Sequence, residues 1–243
     1  MRLRAMALRD EARNPSKRMK HVLPMLKRQF PNRPEPSRPI VTRAPHRPVG
    51  RFASDKMHGP LEWESFLELD NFRILETDNY VKEYHPQPPP IDYPLDGRTH
   101  SYTADALVHR RDGRRVYVEV KYEVDAKRSD NVAKFKAIKS ECRRLGAEFH
   151  VATEKEIRRQ PRLSNAKQLL RYRRVEPKGR LELDVMEAVT TQRLVTVRDL
   201  MVAIRLPDSR LGELYALALR GDINIDLETA PLSPDSKVFR PYA

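Results

Sequence analysis

The 243-residue chain contains a single cysteine, Cys142. One thiol can form neither an internal disulfide nor a cysteine-rich structural zinc site. Set between Glu141 and Arg143 in a helical pattern, Cys142 reads as an inert packing residue. No apolar run approaches the roughly 18 residues of a membrane span, so no span and no membrane association are expected. The N-terminus carries charges with no apolar core behind them, which argues against a secretory signal and for a cytoplasmic protein. There is no internal repeat, and no extended low-complexity tract apart from an Arg/Pro-rich N-terminal stretch. His85, His100, His109 and His150 lack metal-ligand spacing in the sequence and stand in no serine or cysteine nucleophile arrangement; they read as ordinary polar or core residues.

Positive charge is abundant. The net charge of +13 and the pI near 9.9 point to an acidic partner, nucleic acid or an anionic surface. With 39% hydrophobic residues the chain can build a core, and its length suits one medium domain plus a small second one. Residues 1–56 read as a basic Arg/Pro-rich arm, with clusters at Lys17-Arg18-Met19-Lys20 and Lys27-Arg28 followed by prolines from Pro31 to Pro48; the sign of its charge suits tracking along DNA.

Residues 57–175 read as the central domain. From Pro60 on, Leu61, Phe66, Leu67, Leu69, Phe72 and Leu75 fall largely at helical spacings, which predicts an amphipathic helix. Val81 to Tyr84 reads as a strand and Gln87 to Pro94 as a proline-stiffened loop. Two strands joined by Asp112-Gly113 form a hairpin, Asn131 to Leu145 reads as a helix stopped at Gly146, and Ala147 to Ala152 reads as a further strand. This order predicts an α/β fold with a mixed sheet flanked by helices. Residues 176–243 read as a winged-helix-like domain, with helices at Val197–Ile204 and Ser209–Arg220 and a ribbon from Ile223–Leu227 and Val238–Phe239.

The chemistry concentrates in the hairpin. Val116, Val118 and Val120 alternate with Tyr117, Glu119 and Lys121, so Glu119 and Lys121 share a face. The Asp112-Gly113 turn brings Asp105 alongside Glu119. Two carboxylates and an ammonium at one sheet edge can hold a divalent metal and a phosphate together. The preceding helix carries three further acids, Glu62, Glu64 and Glu68. Glu64 and Glu68 lie one turn apart, and periodicity does not choose between them.

Asp105, Glu119 and Lys121 resemble the core of the restriction-endonuclease-like superfamily. Several further segments occur in order: Trp63-Glu64-Ser65-Phe66-Leu67-Glu68-Leu69-Asp70, Tyr84-His85-Pro86-Gln87-Pro88, Tyr102-Thr103-Ala104-Asp105 and Val118-Glu119-Val120-Lys121. With Val49 to Lys56 upstream, and Ala152 to Arg158 and Leu163-Ser164-Asn165 downstream, they resemble the TnsA-type endonuclease subunit of heteromeric bacterial transposases over about Val49 to Tyr172. Ala104 departs from the proline many relatives have there, and Glu119 is the ordinary carboxylate where some carry glutamine.

The resemblance implies Mg²⁺-dependent hydrolysis of a DNA phosphodiester, with Mn²⁺ expected to substitute. The catalytic residues it implies are Glu68, Asp105, Glu119 and Lys121. The metal would be held by Asp105, Glu119, the Val120 carbonyl and Glu68, with Glu64 and Gln87 in supporting positions. It further implies cleavage of the non-transferred strand at the 5′ ends of a transposon beside a DDE-type transposase, an AAA+ regulator and target-selection proteins as further partners, and a bacterial cytoplasmic location, on the nucleoid when active. The alternatives are a stand-alone nuclease of the same fold, for restriction, repair or junction resolution, and a DNA-binding regulator with an inert core.

Overall fold

The computed structural model describes residues 48–57, 59–191 and 196–242. The basic clusters of the arm therefore lie outside the described residues. Among those that are described, no helix is long and apolar enough to cross a membrane.

The first structured segment is a hairpin, β1 (Gly50–Ser54) against β2 (Gly59–Trp63), with Gly50 opposite Trp63. A Cβ at Gly50 would fall 2.4 Å from the Trp63 ring, so this position accepts only glycine without a shift of the indole. The structure thereby corrects two expectations. Gly50 onward is strand rather than arm, and the segment from Pro60 to Trp63 is strand rather than the start of a helix. Helix α1 begins at Phe66 and runs to Thr77. Ser65 sets that start: its Oγ accepts from the Glu68 backbone N–H at 3.1 Å and satisfies one of the orphan donors of the first turn.

Among the described residues the main sheet has four strands in the order β3 (Val81–Pro86), β6 (Ala106–Arg110), β7 (Arg115–Val120), β8 (Glu148–Ala152). The first three are antiparallel, and β7 pairs with β8 in parallel, so the sheet is mixed as expected. The β6–β7 turn uses Gly113 at φ +84°, and Asp112 Oδ1 accepts from the Arg114 backbone N–H. A second ribbon, β4 (Ile91–Leu95) with β5 (Arg98–Tyr102), stands where the sequence suggests a proline-stiffened loop. Asp96 and Gly97 both take positive φ, the signature of a tight two-residue hairpin turn. Pro94 is compatible because a two-stranded ribbon leaves one side of each strand without ladder bonds.

Both faces of the main sheet are covered. On one, Leu67, Phe72 and Leu75 of α1 pack on Tyr84, Val108, Val116 and Val118. On the other lie helix α3 (Ser129–Arg144) and the β4–β5 ribbon, with Ile138, Cys142, Tyr93 and Tyr102 around Phe149. A short helix, α2 (Glu123–Ala126), precedes α3. Cys142 is buried, and loss of hydration pushes its thiol up to about 11, in keeping with an inert role.

Helices α4 (Glu154–Ile157) and α5 (Arg162–Leu169) lead to a second core built from α6 (Leu181–Thr191), α7 (Val197–Ala203), α8 (Leu211–Arg220) and the ribbon β9 (Asn224–Ile225) with β10 (Val238–Phe239). The sequence reading names α7, α8 and the ribbon, but not α6. Asn165, fully buried on α5, fastens this unit to the first: its Nδ2 donates to the Leu227 and Ala230 carbonyls and its Oδ1 accepts from Leu232 N–H. Asn79 makes a similar tie, donating to the Ala218 and Ile223 carbonyls.

Candidate active site

The β6–β7 hairpin delivers the expected acids to one place. Asp105 precedes β6, and its Oδ2 accepts from the Val120 backbone N–H at 2.7 Å. Glu119, near the end of β7, is only 6% exposed. Burial of a carboxylate is costly unless its oxygens are satisfied, and both are: Tyr102 Oη donates to Oε2 at 2.5 Å and Lys121 Nζ to Oε1 at 3.1 Å. Asp105, Glu119, Val120 and Lys121 thus come together as the sequence predicts.

Asp105 is pushed up to about 8. Loss of hydration is the main cause, followed by the charge of Glu119; the Val120 N–H and Lys121 act in the opposite direction, and Glu68 adds to the rise. Carboxylate charge forced into a buried site is what a hard divalent cation can offset.

Glu68 occupies the third position of α1. Its Oε1 accepts from Ser65 Oγ at 2.8 Å and its Oε2 from Glu64 N–H at 3.1 Å. The charge of this cap reaches Asp105, whereas Glu64 lies outside the helix, before the Ser65 cap. The expectation that Glu64 and Glu68 share one helical face is corrected accordingly. Gln87 is placed by the backbone: it sits at φ +45°, donates its N–H to the Asp105 carbonyl at 3.0 Å, and reaches Glu64 Oε1 through Nε2 at 3.2 Å. It therefore ties the segment before α1 to the start of β6.

Tyr102 is the residue that sequence reasoning did not place in the site, although it stands three positions before Asp105. Burial first, and then the Glu119 charge, raise its phenol well above the ordinary value, so it stays a donor. Lys134 Nζ lies 4.9 Å from the centre of its ring. Removing the hydroxyl in Tyr102→Phe leaves an oxygen of the buried Glu119 carboxylate without this donor and should cost about 1–3 kcal/mol of stability. Denaturant unfolding checks this, and wild-type stability would show that the contact is dispensable.

A mixed sheet flanked by helices, with two acids and a lysine at the ends of a central hairpin, fits the restriction-endonuclease-like class of nucleases. Within that class, residues 78–154 match the family model described as TnsA-like endonuclease N terminal. The match supports the resemblance read from the motifs and points to a transposase endonuclease subunit. It takes in Gln87, Asp105, Glu119, Val120 and Lys121, and begins after Glu64 and Glu68. Comparison with curated proteins gives no significant match.

Proposed function

We propose that this chain is the Mg²⁺-dependent endonuclease subunit of a transposase, cutting the non-transferred strand at the 5′ transposon ends beside a DDE-type transposase. The observation that carries the reading is the convergence of Asp105 and Glu119 with Lys121, in a buried pocket where loss of hydration, and then the charge of Glu119, push Asp105 up to about 8.

The donors all being oxygens, the set suits Mg²⁺ or Mn²⁺ rather than a softer ion. Asp105, Glu119 and the Val120 carbonyl would hold it. Glu68 would complete the shell by exchanging one of its cap contacts, or through a water. When bound, the cation supplies Lewis-acid stabilisation of the charge that develops on the scissile phosphate. Lys121, which spends one donor on Glu119, has others for the attacking water and a phosphate oxygen. Tyr102 orients Glu119, and Gln87 with Glu64 aligns the start of α1 with Asp105.

Among its described residues the C-terminal unit has three α-helices and a ribbon, with Thr196 bridging to Lys237 beside β10. That layout supports a winged-helix reading and a role in DNA or partner docking. AAA+ and target-selection partners and the bacterial cytoplasm follow from the same family reading.

The test is strand-resolved cleavage of labelled transposon-end DNA in Mg²⁺, with and without a DDE-type transposase of the proposed kind. Cutting of the 5′ strand only with the partner is expected. Cutting at a site of its own without the partner would instead identify a stand-alone nuclease.

A further inference from the structure

Strand β3 carries Glu83 and His85 two residues apart, on the face opposite Tyr84, whose ring packs on Phe72 of α1. Across the ladder, Glu83 is the register partner of His109 on β6. The three side chains meet: Glu83 Oε1 lies 3.6 Å from His85 Nε2 and 3.8 Å from His109 Nδ1, and one donor atom from each residue falls within 4.8 Å of the others. The sequence reading treats these histidines as ordinary because no ligand spacing joins them. Pairing between strands supplies what sequence spacing does not.

We propose that Glu83, His85 and His109 form a second metal site, distinct from the Asp105–Glu119 centre, that takes a borderline divalent ion of the zinc class and pins β3 to β6. A tetrahedral ion with bonds of about 2.0–2.1 Å sets its donors roughly 3.3–3.4 Å apart. The two carboxylate–imidazole edges are already close to that, and the remaining edge needs to tighten by at most about 1.5 Å. Two imidazoles and one carboxylate select Zn²⁺, Co²⁺ or Ni²⁺ over Mg²⁺, in contrast to the all-oxygen catalytic set. At these distances neither histidine is hydrogen-bonded to Glu83. A cation between the rings would engage Glu83 with both imidazoles at once. Burial foremost, with His85, Arg115 and Lys82 acting in the same direction against Glu83, holds His109 below the ordinary histidine value. The neighbouring Arg115 guanidinium is engaged with the Leu145 carbonyl at 2.7 Å. Three protein ligands leave a fourth position for water. Gln87 follows β3 and Asp105 precedes β6, so occupancy of the site would steady the two strands that place both.

Co²⁺ added to the metal-stripped full chain, without a histidine tag, tests this by visible absorption. One equivalent should give the intense bands of a tetrahedral ion, displaced by Zn²⁺ and not by excess Mg²⁺. The bands should vanish in His109→Gln and His85→Gln and persist in Asp105→Asn. Should either histidine variant fail to fold, the half-exposed Glu83→Gln, monitored by circular dichroism, decides the matter by weakening Co²⁺ binding at least about tenfold while the protein stays folded. Absence of tetrahedral bands, bands unchanged in the folded variants, or bands lost only in Asp105→Asn would each overturn the proposal.

Discussion

Asp105→Asn is expected to cut transposon-end DNA at least about 10³-fold more slowly than the wild type, yet to melt at a higher temperature without metal. Asparagine keeps an oxygen to accept the Val120 N–H bond but removes a charge forced into a pocket already negative from Glu119 and Glu68. The sign of the pH dependence follows from linkage. In the folded protein Asp105 titrates near 8, against about 3.9 when unfolded. Between those values the folded state holds the extra proton, so the stability associated with this group is full below about pH 4 and falls as pH rises toward 8. The advantage of Asp105→Asn should therefore grow across that window, by up to about 1.4 kcal/mol per pH unit. Wild-type cleavage should rise with pH over the same range, because a cation must displace that proton. Thermal melts at pH 5 and pH 8, with single-turnover cleavage, check both halves. A variant less stable than wild type at pH 8 would contradict the electrostatic account.

Glu76→Ala should destabilise the fold by about 3–5 kcal/mol, a large share of a typical domain's margin. Glu76 is a buried hub: its carboxylate accepts from Ser54 Oγ at 2.7 Å, the backbone N–H groups of Asp55 and Lys56, and Tyr84 Oη at 2.8 Å. These contacts tie the β1–β2 hairpin to α1 and to β3. The Lys56 ammonium, itself brought down to about 8 mainly by burial, caps the Leu75 and Asp78 carbonyls and is held charged by Glu76. Truncation leaves several donors unpaired at once, whereas Tyr84→Phe removes one and should cost about 1 kcal/mol. Denaturant unfolding separates the two variants; a Glu76→Ala loss no larger than that of Tyr84→Phe would show that the hub is not cooperative.

Much of the site is legible in the sequence because it lies within one hairpin. Alternation in Val116 to Lys121 fixes the shared face of Glu119 and Lys121, and Asp112-Gly113 fixes the register that sets Asp105 against Val120. The start of α1 is misread for a physical reason: Leu61 fits the helical spacing of the residues after it, but is buried by the β1–β2 ladder, opposite Phe52. Ser65, a strong cap with Glu68 three residues on, is the local signal that marks the true boundary. The β4–β5 ribbon was obscured by its prolines, although Asp96-Gly97 is a hairpin turn signal in its own right. Tyr102 on Glu119 and His85 beside His109 are contacts between separate segments, which periodicity within one segment does not encode.

The account stands on the claim that Asp105 and Glu119 hold a hard divalent ion. Equilibrium binding of Mn²⁺ to the metal-free full chain, followed by electron paramagnetic resonance with Mg²⁺ as competitor, measures that claim directly. One Mg²⁺-competitive site, tightening as pH rises toward 8 and lost in Asp105→Asn, is the predicted result. Mn²⁺ bound equally well by the variant, or not displaced by Mg²⁺, would contradict it.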